Sequence, residues 1–502
     1  MRTHPSVGPH RDPVLHRQFV AGPRFASELT GWKQVPFSAS LKVTCHPQLP
    51  VASQTEGRTV VLCLGDVFDP REARRDNAEI VAALAGASSD FAEFERASGD
   101  LSGRWLMFVT IGDQSRVYPD ACGLKPLYYT DAARHPLWLA SQPDLLSRFV
   151  GASRDDARIA AFHSAPCGAS WPGYLTPYPD LFQLWPNHYI DVRAGRPVRF
   201  WPREPIQSES LDRGARQVIE SLRGTFQAAM HRRRLYVPLT GGYDTRLLYA
   251  VTKPWHDRIE HFLVTFPGIA SHDRSIPRRL AKLGGVRYRV IRAPPCEREL
   301  EAIYRANMAG MYLDPGREFI ASVLDIPEDV FIASGNAGEV GRCFYYKDGR
   351  PQARLGGATL ADLAGYPRNP VATEVFQHWL AGTPSGIGDN VLDLFYWEHR
   401  LGAWLGPGFT GYDTVRDVLA PFNHRALLAT MLGVPVEYRR SPHQLFRRIC
   451  ELTFPETLQL PFNTSLTTRA VARLEQVVPW RVVRAIRGAR RWLSGFSAVP
   501  AP

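Results

Sequence analysis

The sequence is poor in the features that would assign it quickly. Its seven cysteines (Cys45, Cys63, Cys122, Cys167, Cys296, Cys343 and Cys450) are far apart, odd in number and form no CxxC pair. That pattern argues against a disulfide framework and the common zinc sites. Buried thiols in a reducing cytosol are expected instead, and with them a cytoplasmic location. No apolar run approaches membrane-spanning length, so no membrane span is expected. The opening stretch MRTHPSVGPHRDPV lacks the apolar core of a signal peptide. Neither GxxxxGK[ST], HExxH nor GxSxG occurs. Their absence excludes a Walker-type phosphate loop, a zincin-type metal helix and a serine-hydrolase elbow. Lysine is scarce, and none follows Lys347, so nearly all the positive charge is arginine.

What is present suits a globular protein. The chain has 502 residues, 44% of them apolar and 22% charged. That length exceeds one ordinary core and implies two domains. The net charge of +11 fits nucleic acid, a membrane surface or an anionic ligand such as a nucleotide. The arginines are dispersed, however, which makes composition bias the simpler source, and nucleic acid is not expected as a partner. The basic, amphipathic stretch ARLEQVVPWRVVRAIRGARRWLSGF suits a terminal helix docked on the core better than a membrane-surface segment.

The first two hundred residues read as short strands. TVVLCLGDVF is one, RWLMFVTIGDQSRVYPD is a hairpin turning at Gly112-Asp113, and PLYYT and LWLAS follow. NHYIDVRAGRPVRFW is a second hairpin, turning near Ala194-Gly195. Such spacing implies stacked antiparallel sheets. The polar, prolyl WPREPIQSESLDRG then marks a boundary, giving domains 1–207 and 208–502. Beyond it, helix (RQVIESLRGTFQAAMHRR), strand (LYVPLT), helix (DTRLLYAVT), strand (IEHFLVTF), helix (SIPRRLAKLG) and strand (VRYRVIRA) alternate, the pattern of a parallel α/β sheet. DLFYWEHRLGAWL and HRALLATML are expected as helices over that sheet.

The stretch LYVPLTGGYDTRLLYA carries the chemistry. Ligands of parallel sheets bind at the carboxyl ends of strands, where TGGYDT stands. Gly241 and Gly242 allow close backbone approach and can take positive φ. Successive N–H groups and the start of the next helix can then converge on an anion. Thr240 and Thr245 add hydroxyls, and Asp244 makes sense beside phosphate if it holds Mg²⁺. The simpler alternative is a strand–helix turn in which Asp244 caps the helix.

TGGYDT resembles the SGGxDS pyrophosphate loop of the ATP pyrophosphatases, matching at Thr240, Gly241, Gly242, Asp244 and Thr245. HFLVTFPGIASHDRSIPRRLAKLGGVRYRVI looks like the next unit of asparagine synthetases, with Phe266 at the adenine-contacting strand end and Asp273 opening the helix. VFIASGNAGEVGRCFYY resembles their later segment, close to GDGGDE. GDLSGRWLMFV, DACGLKPLYYTD, LASQPDLL and LWPNHYIDV look like their class II glutamine amidotransferase domain. The resemblance covers most of the chain. It implies a degenerate Ntn-hydrolase-like β-sandwich followed by an ATP-pyrophosphatase domain. It also implies ATP and Mg²⁺ as cofactors, with Leu239, Thr240, Gly241, Gly242, Asp244, Thr245, Phe266, Ser334 and Gly335 at the nucleotide. Asp244 and Glu339 would be the catalytic and metal-binding carboxylates.

Three departures shape the expected activity. The family's amidotransferase nucleophile is a cysteine after the initiator methionine, whereas Arg2 stands here and Cys45 is the first cysteine. No glutaminase activity is expected. Nitrogen would come from ammonia or a substrate amine, as in the cysteine-less β-lactam synthetases and lasso-peptide macrolactam cyclases. Second, aligned on its glutamate, SGNAGE puts Gly335 and Gly338 where the family has acids and leaves Glu339. Either Glu339 or Asn336 completes a metal site, metal binding is weak, or Glu339 pairs with Arg342 at i,i+3. Third, the family's late lysine is missing. Arg439, Arg440, Arg447 and Arg469 offer charge but no easy proton transfer. Asn423 replaces an aspartate of the family, and Tyr396, Glu398 and Arg400 suit core roles better than a substrate-side pair. The expected activity is ATP-dependent amide formation through an acyl-adenylate. The alternatives are a macrolactam or β-lactam-type cyclase and a non-catalytic nucleotide-binding homologue. Expected partners are a small-molecule or peptide carboxylate and an amine, with a homodimer or pathway protein left open.

Overall fold

The computed structural model describes residues 15–163, 170–265, 271–311, 317–345 and 355–462. Arg2, Phe266, Lys347, Arg469 and the basic stretch near the C-terminus therefore lie outside the described residues. The first half holds two six-stranded antiparallel sheets. One contains Phe19–Gly22 and Lys42–Cys45, and the other contains the long neighbouring strands Thr59–Phe68 and Ser102–Ile111.

Side-chain alternation explains why these sheets stack. In TVVLCLGDVF, Leu62 and Leu64 point toward the facing sheet, where they join Phe19 and Val43 in one cluster with Phe108 of the neighbouring strand. Val61 and Cys63 point the other way, onto Ile80, Val81 and Leu84 of helix Asn77–Ala87. Both faces are covered, so the strand reads as one apolar run rather than an alternating one. The Gly112-Asp113 and Ala194-Gly195 hairpins form as expected, pairing Ile111 with Gln114 and Asp191 with Arg196.

The second half holds a five-stranded parallel sheet: β1 (Arg234–Pro238), β2 (Ile259–Thr265), β3 (Tyr288–Arg292), β4 (Val330–Ala333) and β5 (Asp417–Leu419). Their order is β3-β2-β1-β4-β5. Strand order therefore reverses between β1 and β4, and crevices in such sheets open at that switch point. Helix Leu211–Arg232 precedes β1, with the Ser210 hydroxyl accepting from the Arg213 N–H at 3.3 Å. Helix α1 (Tyr243–Val251) follows it.

DLFYWEHRLGAWL departs from a regular helix. After Val391–Phe395 the chain widens into a π-helical stretch, Tyr396–Leu405. Glu398 lies within it, fully buried. It accepts two bonds from Arg199 (2.5 and 2.8 Å), one from Asn187 (3.1 Å) and one from the Trp379 indole (2.7 Å). Tyr396 is likewise core, packed against Phe344 and Tyr345. Asn423 ties the halves together: its amide donates to the Gly103 carbonyl at 2.5 Å and its oxygen accepts from the Cys122 N–H at 2.8 Å. A neutral amide donates and accepts at once, which a carboxylate could not do here.

Removing Glu398 strands the Arg199 charge in the interior. Glu398→Ala is expected to cost about 3–5 kcal/mol in chemical denaturation. A loss under about 1 kcal/mol would show that the Arg199 pair does not hold the halves together.

Candidate nucleotide site

TGGYDT begins where β1 ends. Gly242 takes an extended conformation (φ −73°, ψ 175°), so the turn does not use left-handed backbone there. Helix α1 has no side-chain cap at Gly242, and Asp244 sits inside its first turn rather than capping it. The threonines fasten the loop. Their hydroxyls lie 2.7 Å apart, the Thr240 N–H donates to the Thr245 hydroxyl at 3.3 Å, and the Gly242 N–H donates to Thr240 at 3.2 Å. Arg246, fully buried, donates to the Gly241 carbonyl (3.1 Å) and to the carbonyls of Thr457, Leu460 and Pro461. It thereby anchors the turn to the chain around residues 457–461.

Across the switch point, β4 ends at Ala333 and SGNAGE follows. A cavity of about 280 Å³ opens there, lined among others by Thr240, Asp244 and Thr245 from one turn and Ser334, Gly335 and Asn336 from the other. That is just below the roughly 300–1,000 Å³ usual for ligand pockets. Phe409, Tyr412 and Val418 supply its apolar wall. Leu239 stands apart from it. Its side chain is buried with Tyr249, Ile276 and Leu280, so it belongs to the core behind the loop.

Asp244 and Glu339 are brought together, but around a guanidinium. Arg342 donates from Nε to Asp244 Oδ1 at 3.0 Å and from Nη2 to Oδ2 at 2.7 Å. The same Nη2 lies 3.7 Å from Glu339 Oε1. Two left-handed residues, Ala337 (φ 76°) and Cys343 (φ 51°), flank the 3₁₀ turn Gly338–Arg342 and turn it back on Asp244. Gly335 and Gly338 are glycine for a visible reason. A Cβ on Gly338 would lie 2.8 Å from Asp244 Oδ1, and one on Gly335 would lie 3.1 Å from Asp244 Cβ. The two positions where the resemblance expects acids are thus packed against Asp244 itself.

Electrostatics follow from burial. Desolvation raises the Asp244 pKa, and the Arg342 charge and hydrogen bonds oppose it. Glu339 is pushed up to about 7, first by burial and then by the charge of Asp244, while Arg342 pulls the other way. Its Oε2 is buried without a hydrogen-bond partner.

Other expectations resolve into structure. Cys45 is buried and its thiol is pushed up to about 11, the reverse of an activated nucleophile. Arg439 pairs with buried Asp393 at 2.7 Å. Arg246 and Tyr243, which stacks on Phe462 with ring centroids 4.2 Å apart, were not singled out from sequence. Tyr243 lies within the matched motif and Arg246 just after it, but Phe462 and the carbonyls of Thr457, Leu460 and Pro461 that they meet are more than 200 residues away.

No protein-family model matches the chain, and no curated protein matches it. Solved structures give a distant likeness. NMN synthetase from Francisella tularensis is 12% identical, covering 39% of this chain and 97% of that one, at a TM-score of 0.21. The U34-tRNA thiolase NcsA from Methanococcus maripaludis, with its iron–sulfur cluster, is 11% identical, covering 62% and 85%, at 0.22. Glutamine PRPP amidotransferase from B. subtilis, complexed with ADP and GMP, is 10% identical, covering 64% and 69%, at 0.23. Similarity at that level carries no functional argument.

The raised Glu339 pKa has a sign. Between the ordinary carboxylate value of 4.5 and about 7, the folded chain keeps a proton that the unfolded chain has released. Its contribution to stability is therefore full at low pH and is lost as pH rises through 7. Asp393, pushed up to about 6, adds a parallel slope. Glu339→Gln is expected to flatten the fall in stability between about pH 5 and 8 in melting curves. A slope unchanged from the parent chain would contradict the assignment.

Proposed function

We propose that the chain is an ATP-dependent, AMP-forming carbon–nitrogen ligase, in which 208–502 carries the reaction and 1–207 is a degenerate amidotransferase-like scaffold. One observation supports this most: the cavity at the β1/β4 switch point is bounded by both segments that resemble the synthetase motifs. In this reading the nucleotide's phosphates approach the Thr240–Thr245 turn and the N-terminus of α1. The apolar wall at Phe409 and Tyr412 receives a ring. A substrate carboxylate then attacks the α-phosphorus, its oxygen forming the new bond as pyrophosphate departs. An amine captures the acyl carbon with release of AMP. Positioning does most of that work, because the adenylate is already reactive.

Asp244, Glu339 and Arg342 do not fit a protein-held Mg²⁺. The guanidinium takes both Asp244 oxygens, and the two neighbouring acid positions are closed glycines. No step of this reading passes through a metal. With Cys45 buried and its thiol raised, glutamine hydrolysis is not part of the proposal. The same Arg342 pairing favours one second reading, a homologue that binds nucleotide without turning it over.

The test is pyrophosphate release from ATP across a panel of amino-acid and peptide carboxylates, paired with calorimetric ATP binding. Carboxylate-dependent release is expected, lowered about 10²–10³-fold in Asp244→Asn, as for loss of one preorganised electrostatic group. Binding without release supports the second reading, and no ATP binding at all would sink both.

A further inference from the structure

The two carboxylates that could hold a divalent ion are neighbours, yet what stands between them is part of the chain. We infer that Arg342 is the built-in cation of this site, holding Asp244 and the SGNAGE turn in the arrangement that a protein-bound divalent ion would otherwise impose. Binding of phosphorylated ligand would then not depend on a metal held by the protein. The inference rests on the nucleotide reading for its ligand, but its geometry stands without it.

Three observations carry it. The contact is two-pronged, 3.0 and 2.7 Å, and uses both oxygens of Asp244, leaving a metal only the outward lone pairs. The chain is shaped to deliver the guanidinium. Arg342 ends a short turn bracketed by residues in the left-handed region, and it passes between the rings of Tyr243 (5.8 Å) and Phe446 (5.6 Å). The nearest backbone supplies no second carboxylate: Gly338 is packed so that a Cβ there would lie 2.8 Å from Asp244 Oδ1 and 3.3 Å from the ring of Phe422. Among the described residues, no group of three or more His, Cys, Asp or Glu side chains could hold a metal ion.

A guanidinium differs from Mg²⁺ in ways that matter. It carries one charge rather than two, cannot be chelated away, and directs its hydrogen bonds in a fixed plane. Arg342 would therefore be a positioning residue. It keeps the Asp244 end of the loop closed on SGNAGE, so that the turn is preorganised before ligand arrives. The charge it brings is permanent, where a metal site's would depend on the supply of the ion.

Two titrations test this on the full-length chain. In the first, Mn²⁺ alone is followed by electron paramagnetic resonance without nucleotide. The parent chain is expected to bind Mn²⁺ no more tightly than Glu339→Gln. Arg342→Ala, which frees Asp244 and Glu339, is expected to bind it at least tenfold more tightly than the parent. In the second, calorimetry compares ATP binding in excess EDTA and in excess MgCl₂. Affinities within about threefold are expected for the parent chain, with at least tenfold loss in EDTA for Arg342→Ala. Arg342→Lys, which keeps the charge without the fork, serves if the alanine variant does not fold, and an intermediate loss is expected. Tight Mn²⁺ binding by the parent chain, abolished by Glu339→Gln, would overturn the inference; so would ATP binding that collapses in EDTA. Absence of ATP binding under both conditions defeats the nucleotide reading instead, and the Mn²⁺ titration then decides the role of Arg342 alone.

Discussion

The ion pair between Asp244 and Arg342 is the constraint on which the site depends. It joins the turn after β1 to the turn after β4, the two segments that bound the cavity at the sheet's switch point. The pair is partly buried, with the Asp244 and Arg342 side chains 19% and 17% exposed. At that depth each charge has lost much of its water, so the partner is needed to keep the other in place. The glycines at 335 and 338 suit it, since a Cβ at Gly338 would lie 2.8 Å from the Asp244 oxygen that the guanidinium holds, and one at Gly335 would lie 3.1 Å from Asp244 Cβ. Glu339 follows too, as an acid whose ionisation is opposed both by burial and by the carboxylate beside it.

The surroundings explain why that geometry is rigid. Arg246 holds the far side of the TGGYDT turn through carbonyls at Gly241, Thr457, Leu460 and Pro461. The antiparallel half braces the helices behind the cavity. Arg104 grips Asp413 with bonds of 2.7 and 3.0 Å, close in sequence to Phe409 and Tyr412 of the apolar wall. Glu398 and Asn423 add further buried links. Buried polar links of this kind specify one arrangement where apolar packing alone would allow several. The first half thus has a structural use that needs no glutaminase chemistry.

Much of the fold was legible from residue patterns. The apolar run 59–68, the Gly-centred hairpins and the strand–helix alternation after 233 each follow from local physics, and each is present. So was the core of the candidate site, because Thr240, Asp244, Thr245, Ser334 and Gly335 lie in two short segments that flank strand ends. The i,i+3 spacing of Glu339 and Arg342 even signalled their pairing. What could not be read was which partner Arg342 prefers. Asp244 is 98 residues away in sequence, and only the β1–β4 pairing brings it within reach. Leu239 shows the complementary failure. Adjacency to the loop suggested a ligand contact, but strand alternation turns its side chain into the core. The π-helical stretch at 396–405 likewise carries no periodic signature, since so short a widened segment leaves the apolar spacing nearly helical.

The most direct measurement of the central claim is a crystal structure of the chain grown with ATP and Mn²⁺, with data collected at the manganese absorption edge. The account predicts Arg342 still forked on Asp244, with no anomalous peak between Asp244 and Glu339. A manganese peak bridging those two carboxylates, with Arg342 swung away, would contradict it.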